Sequence, residues 1–242
     1  MDTMSDGTAT REAQIQSIMD LLNQPVEPIH PHLAEYTVDT EIGVMIKHPL
    51  VYAYMFHERE HARINATYEA KRRALGEAIA GRKWNNAVFL YERPYRLNAF
   101  NIFQDQLEDQ EYWQLLGNVW TDSENIWQNR DTWREALTAN RPDRHMLMDK
   151  EEQAALALLP DVLTVYRGFM YDDGEEGMSW TLDQEKAKWF ARRFHIDPDC
   201  ERPRIATGHV SKEKVIAYFT GRNEDEIVVL PEDVENWRFQ DV

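Results

Sequence analysis

At Pro160 the chain changes its period. Upstream, apolar residues recur at helical spacing. Downstream they come in short runs rich in Val, Ile and aromatics, the pattern of strands. These runs are Val162–Tyr166, Met178–Thr181, Arg204–Val210, Val215–Phe219 and Ile227–Leu230. One helical segment interrupts them, Asp183–Phe194, with Ala187, Phe190, Ala191 and Phe194 on one face. Helices gathered first and strands later define an α+β fold: a helical N-terminal portion followed by a β-rich core.

The helical portion has its own punctuation. Arg11–Asn23 carries Ile15, Ile18, Met19 and Leu22 at helical spacing, and Pro25, Pro28 and Pro31 then impose an extended linker. Thr37–Lys47 is read as irregular or short strand. Leu50–Ala80 is read as helix with Gly81 as its stop, and Ala87–Tyr91 as a short strand or buried turn. Helices follow at Phe103–Leu116, at Ser123–Asn140 and at Asp149–Leu159, where Asp149 and Glu152 occupy the capping-box positions. The expected organisation is residues 1–47 as helix and linker, 48–160 as a helical region bracing the core, and 161–242 as the core. No Gly/Ser linker marks residue 160, so the last two regions can form one domain.

Charge narrows the partners. Against 27 Lys and Arg stand 43 Asp and Glu, a net charge of −16. Neither half is basic, so nucleic acid is not an expected partner. The single cysteine, Cys200, cannot form an internal disulfide, which suits a reducing compartment. There is no long apolar run and the start is polar, so no membrane association is expected and the cytoplasm is the expected location.

The chemistry-bearing residues lie in the strand-rich third. Arg167 precedes Gly168 at the end of an apolar run, pairing a planar guanidinium with a backbone that a ligand can approach closely. That combination suits an anionic group such as a diphosphate. Ser179 and Thr181 are two apart on a strand and share a side. Glu224 and Glu226 are also two apart, and if extended they share a side as well. Such a carboxylate pair can stabilise a developing cation and accept a proton, as cleavage of a glycosidic bond requires.

Tyr166-Arg167-Gly168, Ser179-Trp180-Thr181 and Glu224-Asp225-Glu226, in that order, resemble the three signature elements of the arginine–serine–glutamate class of mono-ADP-ribosyltransferases. That class is known from bacterial toxins, vertebrate ectoenzymes and phages. The resemblance covers about Val162–Pro231. It implies a split, mixed β core with NAD in a cleft between two small sheets. It implies that Arg167 holds NAD phosphate and ribose, and that the Gly168 backbone meets the nicotinamide carboxamide. Ser179 would orient the catalytic Glu226, with Thr181 in support. Glu226 would bind the nicotinamide ribose and stabilise the cation left as nicotinamide departs. Glu224 would position or deprotonate the acceptor, a pairing associated with a protein arginine. About Thr220–Asn223 would form the acceptor-recognition turn. The chain departs from the toxin pattern in placing Ser179 only twelve positions after Arg167, too short for the helix many toxins insert there. Arg192, Arg193, Arg202 and Arg204 are candidates for a second phosphate contact.

Other readings compete. His57-Glu58-Arg59-Glu60-His61 matches the H-E-x-x-H zinc peptidase motif, which needs both histidines on one helical face; its charged middle residues argue instead for a polar helical face. The set is therefore taken without a metal site. Trp113, Trp120, Trp127 and Trp133 are read as helical core. An NAD glycohydrolase that uses water as acceptor, and a non-catalytic binding module, complete the alternatives.

Overall fold

A computed structural model describes residues 16–20, 26–124, 126–170, 174–193, 202–221 and 224–242. The fold is α+β. The chain forms two compact units, one ending at Ala99 and the other starting at Phe100. The division falls inside the stretch 48–160 that the sequence reads as one helical region, and not at 47 or 160. No helix among the described residues is long and apolar enough to cross a membrane.

The first unit contains a three-stranded sheet, of which the sequence reads only Thr37–Lys47 as irregular or short strand. Strands β1 (Thr37–Thr40), β2 (Gly43–His48) and β3 (Val51–Tyr54) pair antiparallel in that order. Tight turns join them. Gly43, at φ 126°, adopts the left-handed backbone needed after the first, and the Leu50 amide donates to His48 Nδ1 (3.0 Å) in the second. So 50–80 is not one helix: β3 comes first, and the helix proper is His61–Ala80. Gly81 does end it, with an ordinary φ of −86°. Leu33, Ile46, Leu50, Val51, Ile64 and Tyr68 form the core of this unit. Two further readings are corrected. Pro31 opens the short helix Pro31–Ala34, because its fixed φ suits a first turn. Ala87–Tyr91 is not a strand, since Trp84–Phe89 is helical with Ala87 and Val88 buried. Of the expected Arg11–Asn23 helix, residues 16–20 are helical and the rest lies outside the described residues.

From Arg96 to Leu158 the helices break more often than the pattern suggests. Arg96–Phe103 and Asp109–Asp122 replace the single expected Phe103–Leu116. Within 123–140, Trp127–Asn129 is a 3-10 turn and the α-helix is Arg130–Leu137. Lys150–Leu158 matches its expectation, with the Asp149 carboxylate accepting from the Glu152 amide (2.8 Å). Trp113, Trp120 and Trp133 are fully buried.

The second unit's sheet has six strands: β4 (Val162–Phe169), β5 (Ser179–Thr181), β6 (Arg204–Ser211), β7 (Ala217–Phe219), β8 (Glu226–Val228) and β9 (Glu235–Asp241). Their order is β7-β8-β5-β4-β6-β9, and every pairing is antiparallel. This corrects the expectation of a split, mixed pair of sheets. There is one antiparallel sheet with a weak seam, for β4 meets β5 only at Tyr166–Thr181, while it pairs with β6 along its whole length. β9 has no counterpart in the sequence reading, although Trp237 and Phe239 alternate with Asn236, Arg238 and Gln240; two apolar positions in a mostly polar, exposed segment are a weak strand signal.

The helix Gln184–Arg192, capped by Asp183, lies against β4. Its contact rests on Gly168. A Cβ there would overlap the Ala187 carbonyl and sit 2.6 Å from the Ala191 amide nitrogen. Both obstacles are backbone and cannot turn aside. Gly168→Ala is expected to lower the unfolding free energy by about 2–3 kcal/mol, measured by urea denaturation against the parent chain.

Candidate functional site

Three adjacent strands, β4, β5 and β8, and the turn leading into β8 bring the singled-out residues to one cavity. Its volume is about 240 Å³, and its lining includes Arg167, Gly168, Ser179, Thr181, Glu224 and Glu226. Tyr166, Trp180 and Phe190 contribute aromatic surface, and Glu124, Ile126 and Trp127 approach from the helical part of the same unit.

Arg167 sets the geometry on β4. Its Nε donates to the Gly174 carbonyl (2.6 Å) and its Nη1 to the Ser179 carbonyl (2.6 Å). The guanidinium therefore bridges β5 and the loop between the two strands, where the ladder does not continue. Gly177 makes room for it, since a Cβ on that residue would collide with the guanidinium. Burial pushes the Arg167 pKa down to about 10, while the carboxylates of Glu226 and Glu175 pull it back up. The group is thus charged at neutral pH. The segment following Arg167 includes a single 3-10 turn, Gly174–Glu176; residues 171–173 lie outside the described residues.

Ser179 and Glu226 face one another across the β5–β8 pairing. The Ser179 hydroxyl donates to Glu226 Oε1, and the Trp120 indole donates to the same oxygen (3.2 Å). Trp120 was read from the sequence as core only. Nothing in its spacing marks the contact, beyond the general need of a buried indole N–H for an acceptor. Trp180, the middle of the Ser-Trp-Thr step, is buried and donates to the Gly177 carbonyl (2.9 Å), in keeping with a core role.

The two glutamates do not lie on a continuous strand. Asp225 between them has φ 45°, in the left-handed region, so β8 starts only at Glu226. Both residues still line the cavity, and the turn between them is fastened from outside. Thr181 Oγ1 donates to the Glu224 carbonyl (2.6 Å), the Leu182 amide to the Asp225 carbonyl (3.1 Å), and the Tyr218 hydroxyl to Asp225 Oδ1 (2.8 Å). Burial, with the Asp225 carboxylate beside it, pushes the Tyr218 pKa up to about 12, so the phenol stays a donor at neutral pH. Thr181 thus anchors the Glu224 backbone and not the Glu226 carboxylate. Of the proposed recognition turn, residues 222 and 223 lie outside the described residues.

The remaining candidates separate from the site. Arg192, Arg193 and Arg204 are described and do not line the cavity, nor does Arg202. Arg193 lies over the Trp189 ring at 5.2 Å, and Arg204 over Phe169 at 5.0 Å. Cys200 lies outside the described residues. In the first unit, the His57–His61 motif does not form a helical i, i+4 pair. His57 has extended backbone (φ −98°, ψ 154°) and caps the Glu58–Glu60 turn, while His61 begins the helix and its Nδ1 lies 2.8 Å from the Glu27 carbonyl. Among the described residues no group of three or more His, Cys, Asp or Glu is arranged to hold a metal ion.

No known protein family, curated protein or solved structure matches this chain.

The two-carbonyl bridge needs the planar fork of arginine, which a lysine ammonium cannot reproduce. Arg167→Lys is expected to cost about 2 kcal/mol of stability, read by denaturant unfolding. An unchanged midpoint would show that the bridge does not hold the seam.

Proposed function

We propose that this chain is a mono-ADP-ribosyltransferase that moves ADP-ribose from NAD to a protein side chain, arginine in the first place, and releases nicotinamide. One observation carries the reading: Arg167, Ser179, Glu224 and Glu226 line a single cavity, with the Ser179 hydroxyl on the Glu226 carboxylate. The single antiparallel sheet would then be this chain's version of the transferase core.

The residues fit the substrate in size and charge. A volume of about 240 Å³ is below that of sites enclosing a whole drug-sized ligand. It suits the nicotinamide-ribose end of NAD, with the adenosine end outside. Arg167 supplies positive charge for the diphosphate. As the bond between nicotinamide and ribose C1′ breaks, its electron pair leaves with the nicotinamide and C1′ becomes cationic. Glu226, held by hydrogen bonds on Oε1, is a fixed negative charge for that cation. An acceptor guanidine nitrogen then bonds to C1′, and Glu224 takes the proton it loses. With water in that place the product is free ADP-ribose, which is the glycohydrolase alternative.

Incubation with labelled NAD and a protein lysate tests the proposal, with label expected on protein. Glu226→Gln is expected to lower both transfer and hydrolysis at least about a hundredfold. Near-parental activity in that variant would reject the assignment. Glu224→Gln is expected to lose transfer to arginine while keeping NAD cleavage. Normal labelling of arginine by that variant would remove Glu224 from the acceptor step.

A further inference from the structure

Trp120 and Trp133 form a natural comparison. They pack in a T-shape with ring centroids 4.9 Å apart, and each is at most 2% exposed. Trp120 Nε1 lies 3.2 Å from Glu226 Oε1, whereas Trp133 Nε1 is buried without a hydrogen-bond partner. Two indoles of the same size, in one cluster, thus differ in what their N–H groups do.

We infer that Trp120 is a positioning residue for Glu226: its indole N–H fixes the carboxylate beside Ser179 and favours the ionised form. The consequence for catalysis rests on the reading of Glu226 as the carboxylate at which NAD is cleaved. The chemistry of the donor is specific. An indole N–H can only donate, so it complements a carboxylate oxygen and opposes a proton placed on that oxygen. A serine hydroxyl can donate or accept, and by itself does not make that choice. The indole is also neutral, so it orders the carboxylate without adding a second positive charge to that of Arg167, whose field already acts on Glu226 and also favours its ionised form. Because both donors meet Oε1, they restrain the rotation of the carboxylate about its last torsion.

Trp120→Phe keeps an aromatic ring against Trp133 and removes the donor. In it, kcat for NAD cleavage is expected to fall about tenfold with KM for NAD nearly unchanged, and the acid limb of the pH–rate profile to move up by about one unit. Trp133→Phe removes a similar volume but no bond to Glu226, and is expected to leave the limb in place. A double variant with Ser179→Ala is expected to lose less than the two single losses combined, because both donors act on one oxygen. Titration of the Glu226 carboxyl by carbon-13 NMR, without NAD, reads the same link directly. The expected result is a higher midpoint in Trp120→Phe than in the parent or Trp133→Phe. If Trp120→Phe does not fold, benzothienylalanine at position 120 keeps the indole shape with sulfur in place of N–H, and is expected to give the same shift. An unmoved midpoint overturns the inference, and so do equal shifts in the Trp120 and Trp133 variants, which would make packing the cause. A shifted midpoint in a protein that does not turn over NAD leaves the inference standing and removes the reaction assigned above.

Discussion

The Arg167 guanidinium, bonded to two backbone carbonyls at the place where β4 and β5 stop pairing, holds the second unit's site open. A buried cation must be given partners or lose its charge. Here the partners are the Gly174 and Ser179 carbonyls, and the field of Glu226 and Glu175 adds to them. The Ser179 carbonyl, met by a side chain, sits where a continued ladder would have closed the sheet. The same contact leaves the Ser179 hydroxyl directed at Glu226. Gly177 and Gly168 serve this arrangement from two directions: one admits the guanidinium, the other admits the Gln184–Arg192 helix against the strand that carries it.

The two glutamates are managed differently. Glu226 is a strand residue whose carboxylate is bonded by side chains. Glu224 precedes the strand, and its carbonyl is bonded instead. A left-handed Asp225 between them breaks the alternation that two strand residues would follow, and Tyr218 ties its carboxylate down. One carboxylate is fixed by contacts to its own oxygens and the other through the main chain.

Where local chemistry decided a structure, the sequence could be read. Asp149 and Glu152 cap a helix because the motif completes itself within four residues, and the strands from Val162 to Leu230 show in their Val, Ile and aromatic content. Where packing decided it, the sequence was silent or misleading. Ala87–Tyr91 is a short apolar run of the kind that serves a buried helix as well as a strand. β9 is an exposed edge held by pairing with β6, and only Trp237 and Phe239 mark one side of it among polar residues. The cavity-lining residues Arg167, Gly168, Ser179, Thr181, Glu224 and Glu226 stand out in the sequence as types in order. Their assembly does not: extended geometry for Glu224–Glu226 fails at Asp225, and Trp120 enters from a helix that no spacing rule connects to the strands.

That last contact spans 106 residues of chain. The strand residues of the site can come together once β4, β5 and β8 pair, since they all lie within the final third of the sequence. The indole arrives only when the Asp109–Asp122 helix has packed in place. Closing that span costs little more than the 47-residue closure between Ser179 and Glu226, about 0.6 kcal/mol for a doubling of length, because loop entropy grows with the logarithm of length. The restraint on Glu226 therefore depends on the seating of a helix far upstream as well as on the pairing of its own strand, so a change in the helical half of the unit can reach a carboxylate it never approaches in sequence.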